Sequence, residues 1–141
     1  MADRISSERR SATMRAVHSR DTGPEIRVRQ IVHGLRYRFR IHRVELPGKP
    51  DLVFPGPRKA IFVHGCFWHQ HQGCKRATVP QSNTGYWSAK LRRNVERDAT
   101  QIAALKESGW RVLVIWECEL KNEGRMASRL RRFLRRRKLN S

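Results

Sequence analysis

Between Lys49 and Cys74 the chain reads KPDLVFPGPRKAIFVHGCFWHQHQGC, and this stretch limits the possible folds more than any other. Two short apolar runs flank the turn sequence Pro55-Gly56-Pro57. Runs of that length, rich in β-branched and aromatic residues and bounded by Gly and Pro, are strands, expected near 51–54 and 59–64. Joined by the turn, they carry Asp51 and His64 to neighbouring strand ends, where sheet-based enzymes place their chemistry. Directly after the second strand come Cys66, His69, His71 and Cys74, a cluster with the residue types of half a zinc site.

The charge balance narrows the partner. Lys and Arg number 31 against 12 Asp and Glu, a net charge of +19 on 141 residues. A single domain of this size with that excess needs an anionic partner, and nucleic acid leads, ahead of an acidic membrane surface. No apolar run approaches the roughly 18 residues of a membrane span. The N-terminus lacks the apolar segment of a secretory signal, so the chain reads as intracellular. Three cysteines, Cys66, Cys74 and Cys118, make a disulfide framework a poor fit there and suit a site of three thiolates and one imidazole. From spacing alone, either His69 or His71 completes the set.

Residues 1–20 form a basic arm in which Arg9, Arg10, Arg15 and Arg20 can meet phosphates. A single domain over 21–141 follows. Thr22 with Glu25 forms a capping box, and Pro24 suits a first turn. Val28, Ile31, Val32 and Leu35 then give one apolar helical face. Residues 36–42, RYRFRIH, alternate strictly and predict a half-buried strand with a cationic outer face. Leu46 to Pro50 is a turn. Ser82 or Thr84 caps a long helix over about 84–108, with Trp87, Leu91, Val95, Ile102 and Leu105 as its buried stripe, interrupted by Asp98. Gly109 closes that helix. Residues 111–116, RVLVIW, predict a strand buried on both faces, and a last basic helix spans about 123–138. The whole is α/β: a small mixed sheet flanked by helices.

Asp51 at a strand end is a natural Mg²⁺ ligand, because Mg²⁺ prefers oxygen donors. Pro50-Asp51 followed by a second strand resembles the opening of the PD…(D/E)xK nucleases, whose second acid and lysine are replaced here by Ala60-Ile61-Phe62-Val63-His64. Phe67, Trp68, Tyr86 and Trp87 have the usual reading of core aromatics. Phe67 and Trp68 are adjacent, however, and cannot both point inward from an extended segment, so one is free to act as a wedge between bases.

HGCFWHQHQGC, the preceding LPGKPD, the later NVERD and the closing GWRVLVIWEC together closely resemble the very short patch repair endonucleases, bacterial enzymes that nick DNA beside a T:G mismatch left by deamination of 5-methylcytosine. The likeness runs from about Ser11 to Leu120. It implies a restriction-endonuclease-like fold with a structural zinc site, and a Mg²⁺-dependent endonuclease cleaving 5′ to the mismatched T in duplex DNA. It also points to the bacterial cytoplasm and the nucleoid, with mismatch-repair proteins as candidate helpers, and a single nick needs only a monomer. By the same resemblance Asp51 and the Val63 carbonyl hold Mg²⁺, His69 is the acid/base, His64 holds the phosphate, and Glu25 reaches the metal's water shell. Zinc takes Cys66, His71, Cys74 and Cys118. Phe67, Trp68 and Trp87 intercalate, Lys90 and Asn94 read base edges, and Met14 approaches the minor groove. Two other readings fit the same charge and motifs: a zinc-stabilised DNA-binding protein without nuclease activity, and a different nuclease of the PD-(D/E)xK type.

Overall fold

The computed structural model describes residues 22–135. The N-terminal arm, Met14 included, and the basic residues 136–138 lie outside that range. Helix α1 spans Gly23–Gly34. Its first turn is fixed by the Thr22 hydroxyl, which accepts from the Glu25 N–H at 3.3 Å, and by Pro24. Strands β1 (Leu52–Phe54) and β2 (Lys59–His64) pair antiparallel with Leu52 opposite Ile61. The long helix α2, Thr84–Glu107, then returns the chain so that β3 (Arg111–Trp116) runs parallel to β2. A parallel neighbour requires such a crossover. The sheet is therefore mixed, in the order β1-β2-β3. Helix α3, Glu123–Leu134, follows a short 3₁₀ segment at Glu117–Lys121.

Side-chain alternation sorts the two faces. Leu52, Ile61, Val63 and Ile115 pack with α1 and α3 into the main core. Asp51, Phe62 and His64 project by the same alternation to the other face, toward α2. β2 is buried at every position, and its exit end carries the functional residues. At its opposite end the buried Lys59 closes the last turn of α3, its Nζ donating to the Phe133 carbonyl at 2.7 Å. Paired with Phe54, at the end of β1 away from Asp51, Lys59 does not stand in for the missing motif lysine.

Three elements differ from expectation. Residues 36–42 keep their alternating burial but make only one bridge, Arg40 with Val53, because Arg36 and His42 adopt left-handed backbone at φ 68° and 57°. β3 is an edge strand in which only Ile115 is fully buried; an apolar run marks a strand without saying how many layers cover it. The cap of α2 is Asn83, in left-handed backbone, while the Thr84 hydroxyl turns back to donate to the Gln81 carbonyl at 2.8 Å. The far end of α2 closes as predicted. Gly109 at φ 89° lets its own N–H reach the Lys106 carbonyl and the Trp110 N–H reach that of Leu105, both at 3.0 Å. Among the described residues no helix is long and apolar enough to cross a membrane.

Candidate active site and metal knot

The two short strands place Asp51 beside the exit of β2. The Val63 N–H donates to Asp51 Oδ2 at 2.6 Å, so the carboxylate takes the place a next β1 residue would occupy. A strand residue's N–H and C=O point to the same side, so the Val63 carbonyl opens toward Asp51 as well. Glu25 comes in from the first turn of α1, buried, within hydrogen-bonding reach of Asp51 and 3.4 Å from Arg29. Burial first, and the Glu25 carboxylate second, push the Asp51 carboxyl up to about 7. Two acids thus crowd one half-buried spot.

Beside them stands a histidine pair. His64, at the end of β2, and His69, from the following loop, stack with ring centroids 3.8 Å apart and planes 4° from parallel. His69 Nδ1 donates to Asp98 Oδ2 at 2.5 Å. An ionised carboxylate only accepts, so this bond places the ring proton on Nδ1 and leaves Nε2 as the basic nitrogen. His64, His69 and Asp98 are close enough together to suggest a metal triad. Orientation argues otherwise: lone pairs lying in two parallel ring planes do not converge on one ion. The arrangement suits proton transfer. It lines a cleft of about 420 Å³ that Asp51, Glu25, Lys49 and Arg97 share.

The loop after β2 separates its two histidines by tight turns. His69 N–H donates to the Gly65 carbonyl at 3.1 Å and His71 N–H to that of Cys66 at 2.9 Å, with Gln70 in left-handed backbone between them. His69 therefore faces Asp98, while His71 joins the thiols. Cys66, His71, Cys74 and Cys118 bring their ligand atoms within 4.8 Å of one another, a group able to hold a metal ion. His71 Nδ1 is 3.6 Å from Cys66 Sγ and 3.4 Å from Cys118 Sγ. Burial pushes the Cys66 thiol up to about 12, whereas a main-chain hydrogen bond at Arg76 lowers that of Cys74. Three thiols gathered around one imidazole form a cluster that a cation would unify. Glu117 supports it, accepting from the Cys66 N–H at 3.1 Å.

Phe67, Trp68 and Trp87 form a half-buried aromatic cluster, with Phe67 5.0 Å from Trp68 and 5.6 Å from Trp87. Lys90 Nζ lies 5.9 Å from the rings of Trp68 and of the exposed Tyr86. Asn94 is buried, and both ends of its amide are engaged: Nδ2 donates to the Trp68 carbonyl at 3.1 Å, and Arg97 donates to Oδ1 at 3.0 Å. In the DNA-free protein Asn94 braces the cluster. Two site residues escaped the sequence reading. Asp98 announced itself as an acid on an apolar stripe. Trp116 gave no signal beyond its place at a strand end.

A carboxylate at a sheet edge, a polarised histidine and a basic chain define a hydrolase acting on DNA phosphodiesters, and comparison with known proteins agrees. The model of a family described as DNA mismatch endonuclease Vsr matches residues 2–76. The chain is 51% identical over 134 residues to a type II nicking enzyme, V.XorIIP, of Xanthomonas oryzae pv. oryzae, covering 95% of this chain and 98% of that one. It is 44% identical over 126 residues to the DNA mismatch endonuclease Vsr of Escherichia coli K12, covering 89% and 80%. A type II nicking enzyme of Neisseria meningitidis, V.NmeAIP, is 38% identical over 135 residues. The chain belongs to the Vsr family of DNA mismatch endonucleases, and is a nicking endonuclease of very short patch repair.

Proposed function

We propose that the protein cuts one strand of duplex DNA 5′ to the thymine of a T:G mismatch, using Mg²⁺ at Asp51 and a structural zinc in the thiolate knot of a restriction-endonuclease-like fold. The observation that carries this reading is the Asp98-bound His69 stacked on His64 beside Asp51, with Phe67 and Trp68 on the same loop.

Support for Mg²⁺ is the oxygen-rich corner itself: two crowded carboxylates and a main-chain carbonyl, with Arg29 as the neighbouring cation. Asp51 and the Val63 carbonyl would hold the ion directly and Glu25 its water shell; once bound, it offsets charge building on the phosphate. Support for zinc is geometric. Zn–S bonds of about 2.3 Å and Zn–N bonds of about 2.0–2.1 Å set tetrahedral sulfur and nitrogen roughly 3.6 Å apart. The two His71–thiol separations are 3.6 and 3.4 Å. Four protein ligands leave no open position, so the role is structural.

The chain's own residues then divide the work. Phe67, Trp68 and Trp87 enter the base stack at the weakly paired step, where opening costs least. Met14 would approach from the minor groove. Lys90 is placed to follow the wedge, and Asn94 would exchange its hold on Trp68 for a base edge. His64 steadies the scissile phosphate. His69 Nε2 takes the proton of the attacking water, while Asp98 holds the ring tautomer and orientation. One such site makes one nick, consistent with a monomer of the bacterial cytoplasm working at the nucleoid with mismatch-repair proteins. In a panel of matched and mismatched duplexes, Mg²⁺-dependent nicking of T:G is expected, and Asp51→Ala should abolish it. Equal cutting by Asp51→Ala, or salt-sensitive binding with no cutting at all, would overturn the reading.

A further inference from the structure

We infer that Trp116 is a positioning residue for the catalytic histidines: its indole is the wall between the thiolate–imidazole knot and the His64–His69 stack. The inference rests on the nicking activity proposed above. Trp116 ends β3, directly opposite His64 in the parallel ladder, so both side chains project to the same face. Its ring stacks on His71 at 4.2 Å with planes 8° apart. The edge-on contacts go to the other two histidines, with centroids 5.1 Å from His64 at 75° and 6.5 Å from His69 at 71°. One ring thus stacks on a knot residue and meets the proton-transfer pair edge-on.

The main chain holds it there. Its N–H donates to Glu119 Oε1 at 2.8 Å, and two residues later the chain supplies Cys118 to the knot. Burial is a weak explanation for an indole here. Trp116 is only half-buried, stands apart from the main core, and lines an open cleft of about 890 Å³ with His64, His69 and Asp98. What it limits is the rotamer freedom of two imidazoles that otherwise border that cleft. Asp98 holds His69 through Nδ1, and swinging about that bond would carry Nε2 off line. Misplacement by about 1 Å costs on the order of 10²-fold in rate.

Trp116→Leu should therefore lower the single-turnover nicking rate by about 10- to 100-fold while the DNA dissociation constant moves less than about threefold. Bound metal should stay at the wild-type ratio. Trp116→Phe, which keeps a ring against His71, should recover most of the rate. In the DNA-free, metal-loaded protein, the ring C–H proton resonances of His64 and His69 should lose their indole ring-current shifts in Trp116→Leu. Wild-type turnover in Trp116→Leu overturns the inference. So does metal loss in step with rate in both variants, which would assign Trp116 to knot assembly. A wild-type protein that nicks no duplex would instead remove the proposed activity and leave the histidine resonances to test the positioning.

Discussion

An acid on the buried stripe of an amphipathic helix is costly unless a partner receives it. In α2 the partner of Asp98 is His69, 29 residues earlier, and only the curl of the intervening knot brings them together. The expected stripe Trp87, Leu91, Val95, Ile102, Leu105, of which Val95 is exposed in the structure, displayed Asp98 as an interruption, but periodicity along one helix says nothing about a loop folding onto it. Asp98→Asn should leave DNA affinity near wild type and lower the nicking rate by about 10²- to 10⁴-fold, because an amide can donate to Nδ1 and favour the wrong tautomer. Single-turnover assays beside filter binding separate the two effects. Asp51 makes the opposite kind of prediction. Its carboxylate sits half-buried against Glu25, an arrangement suited to a cation and unfavourable without one. Asp51→Asn should abolish nicking and, without added Mg²⁺, raise the thermal midpoint, read by scanning calorimetry. Its proximity to His64 was legible because strand length and turn position fix where a hairpin's ends meet. The choice between His69 and His71 was not, since one residue's difference in a curled loop decides which way each ring faces.

At the scale of elements, the turn Leu46–Lys49 shows how a loop can set a site. The Lys49 N–H donates to the Leu46 carbonyl at 3.0 Å, with Pro47 and Gly48 between them and Gly48 at φ 76°. Left-handed backbone at the third position is what Gly supplies. A Cβ there would also lie 3.0 Å from the Phe62 ring and 3.1 Å from Gln101 Cβ. Gly48→Ala should therefore cost about 2–4 kcal/mol in urea unfolding, adding left-handed strain to overpacking. Phe62 lies 5.7 Å from His64, so nicking should fall too. The sequence LPGKP declared this turn outright. The alternation of residues 36–42 was equally plain and still misled, because the period reports which side chains face inward and not whether the backbone finds a ladder. Tyr37 and Phe39 do pack on the core. Arg36 and His42 bend the segment away from full pairing with β1.

For the whole molecule, the fold class followed from the order of apolar runs, and the pole carrying the chemistry followed from where the histidines and cysteines fell. What no run of residues disclosed was how separable that pole is from the core. The main cluster draws on α1, β1, β2, β3 and α3, none of which needs the knot to bury its apolar face. Cys66 is the one knot ligand that is fully buried; His71, Cys74 and Cys118 are partly exposed. Metal removal should therefore act locally. The free energy of binding a structural zinc is about 10–16 kcal/mol in small zinc domains, where apo means unfolded. Here the hydrophobic core carries the sheet and helices, and an ion in the knot would stabilise the path from Gly65 to Cys74. Chelation at neutral pH should leave most of the helical far-UV signal, expose the 65–83 loop to proteolysis, and abolish nicking even after Mg²⁺ is restored, because His69 sits inside that loop. Refilling the knot with zinc before adding Mg²⁺ should bring activity back. Global unfolding on chelation would show that the core depends on the knot after all.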